Sequence, residues 1–117
     1  MRWRYASSDW KTKVMVDSLK PVSKLRMLLA EIESELGLTA LSSSERDLLY
    51  ALVSESADTG SVVTTNALRA NPIVEYMSDP TMYRYIIKLI EKGVIMLAPG
   101  RQRGAYMVVA EFFHPKH

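Results

Sequence analysis

The sequence predicts a mostly helical α+β domain with one small β-hairpin, and three observations carry that expectation. Apolar residues recur at helical spacing over residues 18–57, the run Ser78-Asp79-Pro80-Thr81 marks a helix start, and two β-rich runs flank a glycine-bounded loop at 99–104. The chain has 117 residues, 48% of them hydrophobic and 24% charged, which suits a single globular core.

Residues 1–17 mix Trp3, Tyr5 and Trp10 with Arg2, Arg4, Lys11 and Lys13 without a sustained period, and read as an N-terminal arm. Two tryptophans favour packing on the domain or on a partner over a free tail or an arm lying along DNA. From Ser18 onward Val22, Leu25, Leu29, Ile32 and Leu36 alternate three and four apart, with Leu28 widening the stripe. This predicts an amphipathic helix over 18–37, with Pro21 near its start and Gly37 at its end.

Ser42 or Ser43 then offers an N-cap, Glu45 can close a capping box, and Leu48, Leu49, Leu52 and Val53 share one face of a second helix running to about Ala57. After turn residues 58–61, Val62 and Val63 suit a two-residue strand. Thr64 or Thr65 can cap a short helix carrying Leu68, which Asn71-Pro72 breaks. The next helix is the best delimited. Ser78 supplies a capping oxygen, Asp79 meets the positive helix end, Pro80 fits the first turn, Met82, Ile86, Leu89 and Ile90 form the buried face, and Gly93 ends it after Lys92. Residues 94–98 and 105–110 then read as a hairpin whose tip carries Arg101, Gln102 and Arg103, and 111–117 as a short tail containing Phe112 and Phe113.

Composition excludes much chemistry. Without cysteine there is no disulfide, thiolate zinc site or cysteine nucleophile, and the only histidines, His114 and His117, lie at the extreme end. Glu31, Glu33 and Glu35 are spaced by two, which separates neighbours around a helix and does not make an acid/base pair. No phosphate-cradling glycine loop or nucleophile elbow is present. These readings predict a protein that is not an enzyme, with no catalytic residues, no metal and no cofactor. The longest apolar run, 94–98, falls far short of the roughly 20 residues of a membrane helix, and no signal-peptide stretch opens the chain, so the expected location is cytoplasmic. The net charge of +2 is uneven: +3 over residues 1–20, −4 over 21–60 and +3 over 61–117.

Helix, helix, tiny strand, short helix, capped helix and basic-tipped hairpin is the element order of a winged helix-turn-helix domain, placed at 38–110. The stretch Thr65-Asn-Ala-Leu68, followed by Ser78-Asp-Pro-Thr81-Met-Tyr-Arg84-Tyr-Ile-Ile-Lys88-Leu89-Ile-Glu-Lys92-Gly93-Val-Ile, resembles winged-helix regulators of the multiple-antibiotic-resistance regulator (MarR) type. The resemblance covers roughly residues 41–110. It implies a transcription regulator that binds double-stranded DNA as a homodimer. Two departures stand out: the segment from Leu68 to Thr81 is longer than usual in that family, and the chain stops before the long C-terminal helix through which most members pair.

At about 100° per residue, Arg84 points away from the apolar face of its helix, with Thr81, Ile87 and Lys88 near it and Tyr83 and Tyr85 on the flanks, and an outward Ile87 can touch a thymine methyl. Arg84 can donate two hydrogen bonds to a guanine edge or clamp a phosphate, while Ser78, Thr81 and Tyr83 offer hydroxyls to phosphate. Arg101, Gln102 and Arg103 fit a wing that touches phosphates or enters a minor groove. Val22, Leu25, Leu29, Ile32 and Leu36 form a seam for the domain's own core, for a second subunit, or for both. The competing reading is a winged-helix module that docks a protein and reads no DNA, since one fold hosts both uses. Whether a small-molecule effector binds is open.

Overall fold

The computed structural model describes residues 9–56, 61–100 and 104–109. Its elements are α1 (Asp9–Glu35), a 3-10 turn (Leu38–Ala40), α2 (Ser43–Glu55), β1 (Val63–Thr64), α3 (Thr65–Arg69), a second 3-10 turn (Pro72–Val74), α4 (Asp79–Glu91), β2 (Ile95–Leu97) and β3 (Ala105–Val108). The fold is mostly helical with one small antiparallel sheet, in the order β1-β3-β2. The sheet has three strands rather than a bare hairpin. Val63 and Thr64 pair with Tyr106 and Ala105, and Ile95, Met96 and Leu97 pair with Val108, Met107 and Tyr106.

Local chemistry sets most boundaries. Ser42 caps α2 in a full capping box: its Oγ accepts from the Glu45 N–H at 3.2 Å and its own N–H donates to Glu45 Oε1 at 2.7 Å. Thr64 caps α3 by accepting from the Ala67 N–H, and Asn71 caps the Pro72–Val74 turn by accepting from the Ile73 N–H at 2.9 Å. Ser78 caps α4, and Gly93 takes a φ of 79° after its end, a conformation that glycine adopts without steric cost. Gly104 has a φ of 88° and its carbonyl accepts from the Thr65 N–H at 2.8 Å. A Cβ there would sit 3.1 Å from Thr65 Oγ1, and the positive φ by itself strains any other residue, so glycine suits this junction of β3 with the start of α3.

The core lies between α2, α3, α4 and the sheet. Leu48, Leu49, Leu52, Leu68, Met82, Ile86, Leu89, Val94 and Ile95 are its most deeply buried side chains. Removing a large aliphatic group from such a position costs about 2–5 kcal/mol. At one edge of this core, Lys92 Nζ donates to buried Glu45 Oε1 at 2.8 Å and so ties the end of α4 to the start of α2.

The N-terminal region departs from the sequence reading. The helix expected from Ser18 begins at Asp9, so residues 9–17 of the expected arm are helical. Pro21 stands inside the helix, not near its start. Proline there removes the hydrogen bond to the Asp17 carbonyl and costs about 3 kcal/mol in a helix interior. Every described residue from Trp10 to Ile32 is exposed, and α1 meets the core only through its last turn. There Glu33 accepts from the Tyr50 hydroxyl, Arg46 Nε lies 3.6 Å from Glu33 Oε2, and Leu36 packs against the core. No helix among the described residues is long and apolar enough to cross a membrane.

Candidate nucleic-acid interface

Helix α4 presents two different flanks beside its buried Met82, Ile86 and Leu89. On one, Thr81 follows the Ser78 cap, and Arg84 and Lys88 are exposed one helical turn apart. Both cations lean on the same ring, with Arg84 Cζ 5.8 Å and Lys88 Nζ 5.5 Å from the Tyr85 centroid. Such contacts hold a cation in place without neutralising it. Neither Arg84 nor Lys88 has a carboxylate partner among the described residues, so two unit positive charges stand side by side.

The helix start combines hydroxyls with a neutralised acid. Ser78 Oγ accepts from the Thr81 N–H at 3.4 Å and donates to Thr81 Oγ1 at 2.9 Å. Asp79 Oδ1 lies 3.1 Å from Arg69 Nε, an ion pair that pins the end of α3 to the first turn of α4. It offsets a negative charge that would otherwise oppose an anion at this helix end. Sequence reading did not single out Arg69. The signal available was a basic residue closing one helix ten positions before the acid that opens the next.

The other flank is apolar. Tyr83 and Ile87 are exposed at 43% and 55% and, with Ile90, form one wall of an open groove of about 820 Å³. Thr64, Asn66 and Arg69 from the α3 side and Leu97 and Tyr106 from the sheet complete it. Tyr83 therefore lines the groove, apart from the Arg84 and Lys88 flank.

The hairpin closes where the Ala98 N–H donates to the Ala105 carbonyl at 2.9 Å, leaving 99–104 as its connection. The expected contacts Arg101, Gln102 and Arg103, like the tail residues Phe112 and Phe113 and the arm residues Trp3 and Tyr5, lie outside the described residues. Of the expected pairing seam, Val22, Leu25, Leu29 and Ile32 are 57%, 66%, 40% and 43% exposed, whereas Leu36 packs against the chain's own core. Leu36 is withdrawn from the seam because Gly37, at a φ of 77°, turns the chain back toward α2 directly after it.

Sequence reasoning also missed the junction of α1 with the domain. Burial first, and then the Glu33 carboxylate that accepts its proton, push the Tyr50 phenol well above its ordinary value and keep it neutral. No family model, characterised protein or solved structure matches the chain, so its function is argued from its own residues and geometry.

Proposed function

We propose that this chain is a small transcription regulator of the winged-helix kind that binds double-stranded DNA as a homodimer, with α4 in the major groove. The supporting observation is the exposed, carboxylate-free pair Arg84 and Lys88 on a helix whose start offers the Ser78 and Thr81 hydroxyls. The hairpin beside it, carrying Arg101, Gln102 and Arg103 in its connection, serves as the wing on backbone phosphates or in the minor groove. Tyr83 reaches phosphate from the groove side. The order helix, strand, helix, capped helix, hairpin, with β1 joining the hairpin through β3, supports a winged-helix reading.

The roles divide by chemistry. Arg84 reads a base edge, and its replacement by alanine costs about 1–3 kcal/mol and relaxes preference at one base position. Arg101 neutralises phosphate, and its replacement weakens all sequences alike and lowers the salt slope by about one. Binding of both variants to an operator selected from random duplexes, and to single-base changes in it, tests this division. Equal losses on every sequence for both variants would contradict it.

The apolar flank favours a second reading. Tyr83, Ile87 and Leu97 around the groove suit a module that docks a protein segment. On that reading Ile87→Ala abolishes partner binding, and the arginine variants do not change it.

A further inference from the structure

Helix α1 is about 40 Å long at 1.5 Å per residue, and nothing else among the described residues covers its stretch from 10 to 32. Val22, Leu25, Leu29 and Ile32 are each at least 40% exposed on one side of it. A helix interrupted by Pro21 and carrying Val14, Val16 and Val22 does not sustain itself in water, because helices in proteins owe their stability to a packed apolar face. The apolar side therefore needs an occupant.

Charge names it. Lys11, Lys13, Lys20, Lys24 and Arg26 face only Asp17 over residues 10–26, whereas Glu31, Glu33 and Glu35 stand without a basic residue over 27–35. The order is basic first and acidic last, which runs against the helix dipole. Lys13, Lys24, Arg26, Glu31 and Glu35 have no ion-pair partner among the described residues.

We propose that α1 pairs antiparallel with α1 of a second copy of this chain, so that the basic half of each helix lies along the acidic end of the other. A two-fold axis across the helix pair makes the two contacts identical, as a closed dimer requires. A parallel pair would set lysines against lysines and glutamates against glutamates. The inference deepens the dimeric reading above. It does not depend on the ligand of α4.

The test uses the full chain without DNA. Sedimentation measures the dimer, and a spin label on Thr12→Cys measures orientation in a protein that has no other cysteine. The expected result is a dimer with labels about 30 Å or more apart. The Glu31→Lys/Glu35→Lys variant dissociates at least about tenfold more readily, and mixing it with Lys20→Glu/Lys24→Glu, whose lysines fall opposite Glu31 and Glu35 when the Val22–Ile32 seams pair, restores association. An unchanged melting transition of the core confirms that each variant still folds, even where α1 loses helix on dissociation. A monomer at every soluble concentration overturns the proposal, and so do Thr12 labels about 10 Å apart, the spacing of parallel neighbours. A dimer that fails to bind DNA leaves the pairing standing and counts against the reading of α4 alone.

Discussion

Glu45 is the most informative single residue of the domain. Its carboxylate is 2% exposed, and burial by itself disfavours the charge, but the Lys92 ammonium, the Ser42 N–H and the Ser42 hydroxyl outweigh burial and hold the carboxyl below its ordinary value of 4.5. A group whose folded pKa is depressed contributes stability that is present above its unfolded value and lost as pH falls through the folded one. Lys92→Met therefore destabilises the domain at neutral pH by about 1–3 kcal/mol, because it leaves a buried carboxylate short of a donor. Its stability falls less steeply than that of the parent in acid, and urea titrations at pH 7 and below pH 4.5 measure both effects. The sign reverses at Tyr50, whose raised pKa means stability fully present below pH 10 and lost as pH rises above it. The capping half of the Glu45 site was legible, since Ser42 and Glu45 stand three apart before an apolar run. Its ion pair was not, because Lys92 lies 47 positions away and only the packing of α4 on α2 brings it there.

Among elements, α4 is the one whose boundaries chemistry writes most openly. Ser78, Asp79 and Pro80 specify its start and Gly93 its stop, so Ser78→Ala should lower thermal stability by about 1 kcal/mol with no change in fold. Helix α1 shows the opposite case. Its first nine residues hold Trp10, Val14, Met15 and Val16 among lysines, and no period distinguishes them from a loose arm. Proline is also read from sequence as a start signal, yet Pro21 sits mid-helix here. Replacing it with alanine restores the missing donor and should raise helix content and melting temperature, by up to about 3 kcal/mol of stability. An unchanged melting temperature would mean that the helix is already relieved of the cost at Pro21. Tyr50→Phe removes the hydroxyl that holds Glu33 and should speed hydrogen exchange in the last turns of α1 while sparing α4.

Over the whole molecule, three parts have separate duties: a core that fixes α4 and the hairpin, a cationic flank carrying Arg84 and Lys88, and an exposed helix with complementary charged halves. The α+β class and the order of the elements were readable because each break falls at capping or turn chemistry. The division of the α4 surface into a cationic and an apolar flank was not, since helical spacing placed Tyr83 beside Arg84 without showing that the groove behind it includes Leu97 and Tyr106. On the function proposed above, the molecule binds duplex DNA through its cations. Fluorescence anisotropy on random duplex DNA at two salt concentrations tests it most directly, with the Arg84→Ala variant alongside. Binding is expected to fall steeply with salt, by about 0.9 in the logarithmic slope for each phosphate neutralised, and to be weaker in the variant. No binding even at low salt, or binding indifferent to both salt and Arg84, would contradict it.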